Sequence, residues 1–235
     1  MILTNNFIFI HMMRTGGSSI NKSFRHEMLG YHRPRRLIPK EHRDKPIVGN
    51  VRDPFDWYVS LYHHCLNFFY PMKTPTFLNY ILDFKRYEFR ETIRRLIDTS
   101  WMTYEDIDKA LKHFPDEYDW NATLVDNLRK KECDSYLNSG KGFMSWLFEY
   151  MYSDPMVGTE GVFFCRTEHL EHDWQVFLKT QAPIRFPKLN RMSGLNPLIG
   201  QVKEPRRKDY MSYYDDELIK LIIEKDKSYL DFFGM

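Results

Sequence analysis

Two short segments carry residues whose types and spacing suit the binding of anions. The first is Arg14-Thr15-Gly16-Gly17-Ser18-Ser19. Adjacent glycines let a backbone curl until several amide hydrogens converge on one anion. Thr15, Ser18 and Ser19 add hydroxyl donors, and Arg14 adds a planar cation matched to phosphate oxygens. The segment follows the apolar run Phe7–His11 and precedes a stretch in which Ile20, Phe24 and Met28 recur every four residues. That order reads as strand, glycine turn and amphipathic helix, with Ser18 or Ser19 as the cap and the helix start adding partial positive charge. The Walker A glycine spacing and its terminal Gly-Lys are both absent. An ordinary glycine turn is the plain alternative.

The second segment is Val51–Tyr62, VRDPFDWYVSLY. It follows Ile47–Val51, which reads as a buried strand. Asp53 is a natural helix cap and Pro54 a natural first helical residue, so a largely buried helix is expected over Phe55–Phe69. Arg52 at the strand end and Ser60 two turns into the helix could grip a second phosphate together. Alternatively Arg52 pairs with Asp53 or Asp56, and Ser60 is a small packing residue.

The elements that must position these segments are those of an α/β protein. Val162–Cys165 reads as a strand, Thr167–Lys179 as a helix and Asp215–Leu230 as a last helix with an acidic start and a basic end. Between about Pro71 and Pro155 lie helical patches such as Phe89–Ile97 and Asp106–His113. This stretch is expected to be a mainly helical insertion, within a single domain over 1–235, that shapes an acceptor pocket. A loop rich in proline and glycine, from Pro183 to Pro205, precedes the last helix.

Composition bounds the rest. Of 235 residues, 43% are apolar and 16% aromatic, enough for a folded core. A formal charge of +2 argues against a general nucleic-acid partner, so an anion site has to be built locally. Three cysteines without paired spacing suit a reducing compartment, and the apolar run near Met1 is too short for a signal peptide or a membrane span. A cytoplasmic protein is expected. His63-His64-Cys65 and the pairs Glu168-His169 and Glu171-His172 lack zinc spacing, so no metal is expected. The basic run from Arg33 to Lys45 reads as a solvated surface, with an acidic acceptor as the alternative. Trp57 and Tyr58 read as core.

Together the two segments resemble the sulfotransferase family. Phe9–Ser19 resembles the 5′-phosphosulfate loop, typically Pro-Lys-Thr-Gly-Gly-Thr-Ser. Arg52–Tyr62 resembles the 3′-phosphate motif, Arg-Asp-Pro followed by a serine eight residues after the arginine. Arg166-Thr167-Glu168-His169-Leu170 and Tyr213–Gly234 resemble late segments of the carbohydrate-type members. The resemblance implies a central, mostly parallel sheet flanked by helices in a P-loop-like fold. It also implies sulfuryl transfer from 3′-phosphoadenosine-5′-phosphosulfate (PAPS) to a hydroxyl of a carbohydrate or small natural product. Arg14, Thr15, Gly16, Gly17, Ser18 and Ser19 would hold the 5′ end, and Arg52 and Ser60 the 3′ phosphate. Arg14 stands where the family usually has lysine and Met13 where it has proline. Arginine keeps the charge but does not readily give up a proton.

The resemblance implies a base between the two motifs, since many carbohydrate-type members of the family use a histidine there. His32 falls at that place and has a suitable ordinary pKa. Glu27 is the next candidate, while His26 and His42 read as surface residues. Two other readings stay open: a nucleotide-dependent phosphotransferase of the P-loop type, and a non-catalytic relative that keeps the nucleotide site.

Overall fold

The computed structural model describes residues 1–24, 27–28, 32–66, 88–103, 105, 130–182 and 209–235. They fall into two compact units, one of 1–53 with 151–209 and one of 54–150 with 210–235. The expected helix over Asp106–His113, the loop from Pro183 to Pro205 and the side chains of His26 and Glu27 lie outside the described residues.

The first unit is built on a five-stranded sheet in the order β3-β1-β2-β4-β5. These strands are β1 (Ile2–Leu3), β2 (Ile8–Ile10), β3 (Glu27–Met28), β4 (Ile47–Val51) and β5 (Val162–Arg166). β2, β4 and β5 run parallel, with Ile8 opposite Ile47 and Val48 opposite Phe163. β1 pairs antiparallel with both β2 and β3. The sheet is therefore mixed, where a mostly parallel one was expected. The difference comes from a tight turn at the start of the chain. Thr4 Oγ1 donates to Phe7 O at 2.8 Å and accepts from Phe7 N at 2.9 Å, which folds β1 back along β2.

β2 and β4 are buried along their whole length, as continuous apolar runs in parallel strands should be. Gly49 in β4 makes room for Tyr152. A Cβ there would lie 2.3 Å from the ring, and the phenol hydroxyl donates to Asn50 O at 2.8 Å. Below the sheet, Phe7, Phe9, Ile20, Val48, Trp174 and Phe177 form one core. Trp174 meets Phe7 and Phe9 edge-on at 5.7 and 5.5 Å, the preferred geometry for aromatic quadrupoles. Trp174, Phe177 and Leu178 share one face of the helix Leu170–Thr180.

The second unit is helical among the described residues. The helix α2 spans Pro54–His64, starting at the expected proline, and buries Trp57, Tyr58, Val59, Ser60 and Leu61. Phe89–Ile97 is helical with the expected bounds, joined by Lys130–Leu137 and Phe143–Tyr152. The expected last helix is split into Asp216–Lys225 and Lys227–Phe233. Asp226, fully buried, makes the break. Its carboxylate accepts from Tyr58 Oη at 2.7 Å and from Ser145 N at 2.8 Å. Asp215 caps the first half by accepting from Leu218 N at 2.8 Å. No helix among the described residues is long and apolar enough to cross a membrane.

Candidate anion-binding site

The loop between β2 and the helix α1 (Gly17–Ser23) lies at the end of a fully buried strand, so its first residues are held by the sheet. Arg14 has φ 62° and Gly16 φ 84°, both left-handed. Glycine adopts that region freely, whereas for arginine it costs about 1–2 kcal/mol and has to be over-determined by the surroundings. Two carbonyls show how. Arg52 Nη1 donates to Arg14 O at 2.9 Å. Asn50 Nδ2 and Thr167 Oγ1 each reach Thr15 O at 3.1 Å. Every described peptide bond is trans, so the N–H of the next residue points opposite to each carbonyl. Anchoring the two carbonyls on the β4 and β5 side therefore turns the amides of Thr15 and Gly16 the other way, as in an anion-binding nest.

Thr15 itself does not add the hydroxyl donor expected of it. The side chain is fully buried, and Oγ1 donates to Met12 O at 2.7 Å, closing the loop. Ser18 and Ser19 are not caps either. The residue before α1 is Gly16, and both serines lie in the first turn, Ser18 exposed and Ser19 half-buried. Gly17 is required by a neighbour and not by its own φ. A Cβ there would lie 2.0 Å from His11 Cδ2, so the imidazole of His11 occupies the place of a side chain.

His32 packs against the same histidine. Its Nδ1 lies 2.7 Å from His11 O, and the rings are 4.6 Å apart. A carbonyl only accepts, so Nδ1 carries the proton and Nε2 the lone pair. Burial lowers the His32 pKa to about 4, against the opposing pull of that hydrogen bond, so the ring is neutral at pH 7. Burial holds His11 well below the ordinary histidine range too. His11 Nδ1 is buried without a hydrogen-bond partner among the described residues. His32 also has positive φ, at 46°.

Beside Ser19 opens a cavity of about 300 Å³, whose other lining runs from Thr167 to His172. Glu168 on its rim accepts from Asp53 N at 2.9 Å, tying the exit of β5 to the exit of β4. Among the described residues no group of three or more histidine, cysteine or carboxylate side chains is placed to hold a metal.

Arg14, Thr15, Gly16, Gly17, Ser18, Ser19, Arg52 and His32 thus all belong to the first unit. Ser60 belongs to the second, on α2, where it is 2% exposed. Asn50, Thr167 and His11 were not singled out from the sequence as site residues. A lone asparagine in the otherwise apolar β4 was the available signal for the first, and the Arg-Thr-Glu-His-Leu segment for the second. The chain matches no protein-family model, no curated protein and no solved structure.

Proposed function

We propose that this chain is a sulfotransferase that moves a sulfuryl group from PAPS to an acceptor hydroxyl, of a carbohydrate or a small natural product. The observation that carries the reading is the contact of Arg52 with Arg14 O at 2.9 Å. It ties the residue that follows β4 to the backbone of the loop that follows β2, so that Arg14 and Arg52 stand at the ends of two neighbouring parallel strands. A nucleotide with phosphosulfate at one end and a 3′ phosphate at the other calls for that combination.

The residues present fit such a ligand. Arg14 and the amides of Thr15 and Gly16 would hold the 5′ end, and Arg52 the 3′ phosphate. Ser60 is assigned to the 3′ phosphate by its spacing from Arg52 alone. The cavity beside Ser19 carries Glu168 and Glu171, which repel phosphate and suit the amino group of a base.

PAPS, when bound, supplies sulfur already joined to a good leaving group. The chain then has to orient the acceptor, take its proton and stabilise spreading charge. His32 would take the hydroxyl proton at Nε2 as the acceptor oxygen bonds to sulfur. The bond from sulfur to the 5′-phosphate oxygen breaks with its electron pair leaving on that oxygen. Arg14 stabilises the charge there as a fixed cation and does not donate a proton.

Calorimetric titration with 3′-phosphoadenosine-5′-phosphate, without magnesium and beside ATP and AMP, tests the reading. It holds if the bisphosphate binds at least about tenfold more tightly than AMP, a difference of about 1.4 kcal/mol, and if Arg14→Ala and Arg52→Ala each weaken it. Equal binding of bisphosphate and AMP rejects it, and magnesium-dependent ATP binding points to phosphoryl transfer instead.

A further inference from the structure

The hydroxyl of Thr167 stands where three strand ends meet. It lies 2.8 Å from Val51 O, the last residue of β4, and 3.1 Å from Thr15 O in the anion loop. A hydroxyl has one proton to give, and both neighbours are acceptors, so that proton is shared between them. Thr15 O also accepts from Asn50 Nδ2. The orientation of that amide is not arbitrary. Trp174 Nε1 can only donate and lies 3.0 Å from Asn50 Oδ1, which leaves Nδ2 facing the loop. Asn50 is fully buried. The two lone pairs of the Thr15 carbonyl are thus met from β4 by Asn50 and from beyond β5 by Thr167.

We propose that Thr167, together with Asn50, is a positioning residue for the anion loop. The Thr15–Gly16 peptide can turn over at little backbone cost, because Gly16 tolerates either sign of φ. Turned over, it would present a carbonyl oxygen to an anion in place of an N–H. Saturating the carbonyl on its far side holds the peptide in the binding orientation before any ligand arrives, so the reorganisation is not charged to binding. The second half of the Thr167 bond holds Val51, the residue before Arg52. One side chain thereby keeps the loop amides and the second cation in register. The ligand class is a tetrahedral oxyanion ester, phosphate or sulfate. The inference rests on the reading of this loop as an anion site and not on which nucleotide it takes.

The test uses two probes, inorganic pyrophosphate and 3′-phosphoadenosine-5′-phosphate, titrated into the wild type, Thr167→Val and Thr167→Ser, with melting temperatures measured beside them. Thr167→Val removes the hydroxyl at nearly constant shape, and Thr167→Ser retains it. Thr167→Val is expected to bind both probes about tenfold more weakly. Thr167→Ser should stay within about twofold of wild type, although it loses a half-buried methyl and melts lower. A purely structural role predicts the reverse order, with affinity following melting temperature. Wild-type affinity in Thr167→Val, or an equal loss in Thr167→Ser, overturns the proposal. Should Thr167→Val fail to fold, Thr167→Ala against Thr167→Ser makes the same comparison. If the wild type binds pyrophosphate yet does not prefer the bisphosphate to AMP, the sulfotransferase reading fails while the pyrophosphate arm still decides this one. A wild type that binds neither probe overturns both.

Discussion

His32 Nδ1 donates to the backbone carbonyl of His11 across 2.7 Å, and the two imidazoles lie 4.6 Å apart. This fixes the tautomer of the candidate base through a main-chain carbonyl, which can only accept. It also places a second neutral ring behind the first, where burial disfavours a proton on either.

The imidazole of His32 should therefore titrate near 4 and not near 6.5. Its Hε1 resonance, assigned by comparison with His32→Gln, is the measurement, and a midpoint above 6 would refute the buried geometry. A depressed pKa contributes stability that is present above 6.5 and lost as the pH falls through about 4. Turnover that needs neutral His32 would have its acid limb at that same low pH.

Gly17→Ala should be more damaging than a glycine in a helix start ordinarily is. The new Cβ would overlap the ring of His11, at 2.0 Å from Cδ2. Overpacking of this kind costs about 1–3 kcal/mol. Chemical denaturation of Gly17→Ala, and of the double variant with His11→Ala, checks the cause. Removing the ring should restore part of the loss, and a double variant no better than the sum of the two single changes would place the strain elsewhere.

Asp226 gives the second unit a pH dependence of opposite sign. Burial raises its carboxyl to about 6 from an ordinary 3.8, against hydrogen bonds from Tyr58 and Ser145. The stability tied to its protonation is present below 3.8 and is lost as the pH rises through 6, a change on the order of 3 kcal/mol. His32 pushes the other way over part of this range. The difference in unfolding free energy between wild type and Asp226→Asn, measured from pH 4 to pH 7, isolates the carboxylate. A constant difference would show that it does not titrate there.

Tyr152→Phe removes a donor from the carbonyl of Asn50 while keeping the ring that Gly49 accommodates. A loss of about 1 kcal/mol is expected. Gly49→Ala should cost more, because the added Cβ meets the Tyr152 ring at 2.3 Å. Thermal unfolding of the two variants, compared side by side, tests that order.

Ile47–Val51 could be read as a strand from sequence because an apolar run is closed by Pro46 on one side and Arg52-Asp53-Pro54 on the other. The structure returns the same bounds. β1 could not be read, since two residues, Ile2 and Leu3, carry no period, and their pairing depends on the Thr4 turn. The last helix shows why periodicity alone overshoots. Leu218, Ile222 and Tyr229 keep one apolar face through position 226, but Asp226 turns inward to partners far away in sequence. The loop from Arg14 to Ser19 was legible as a glycine-rich turn after a strand. Its internal wiring was not, because the inward hydroxyl of Thr15 and the bonds from Asn50 and Thr167 all depend on tertiary neighbours.

The parallel pairing of β4 with β5 also sets an order of events during synthesis. Val48 has to wait for Phe163, and the whole stretch from 54 to 150 leaves the ribosome in between. Throughout that interval the nascent chain carries β4 with one row of amides and carbonyls unpaired, a template for any passing strand. Thr167 arrives just after β5, so the loop at Thr15 acquires its last anchor only when this edge is closed. A chain released before Val162 would thus lack that anchor and be prone to aggregate.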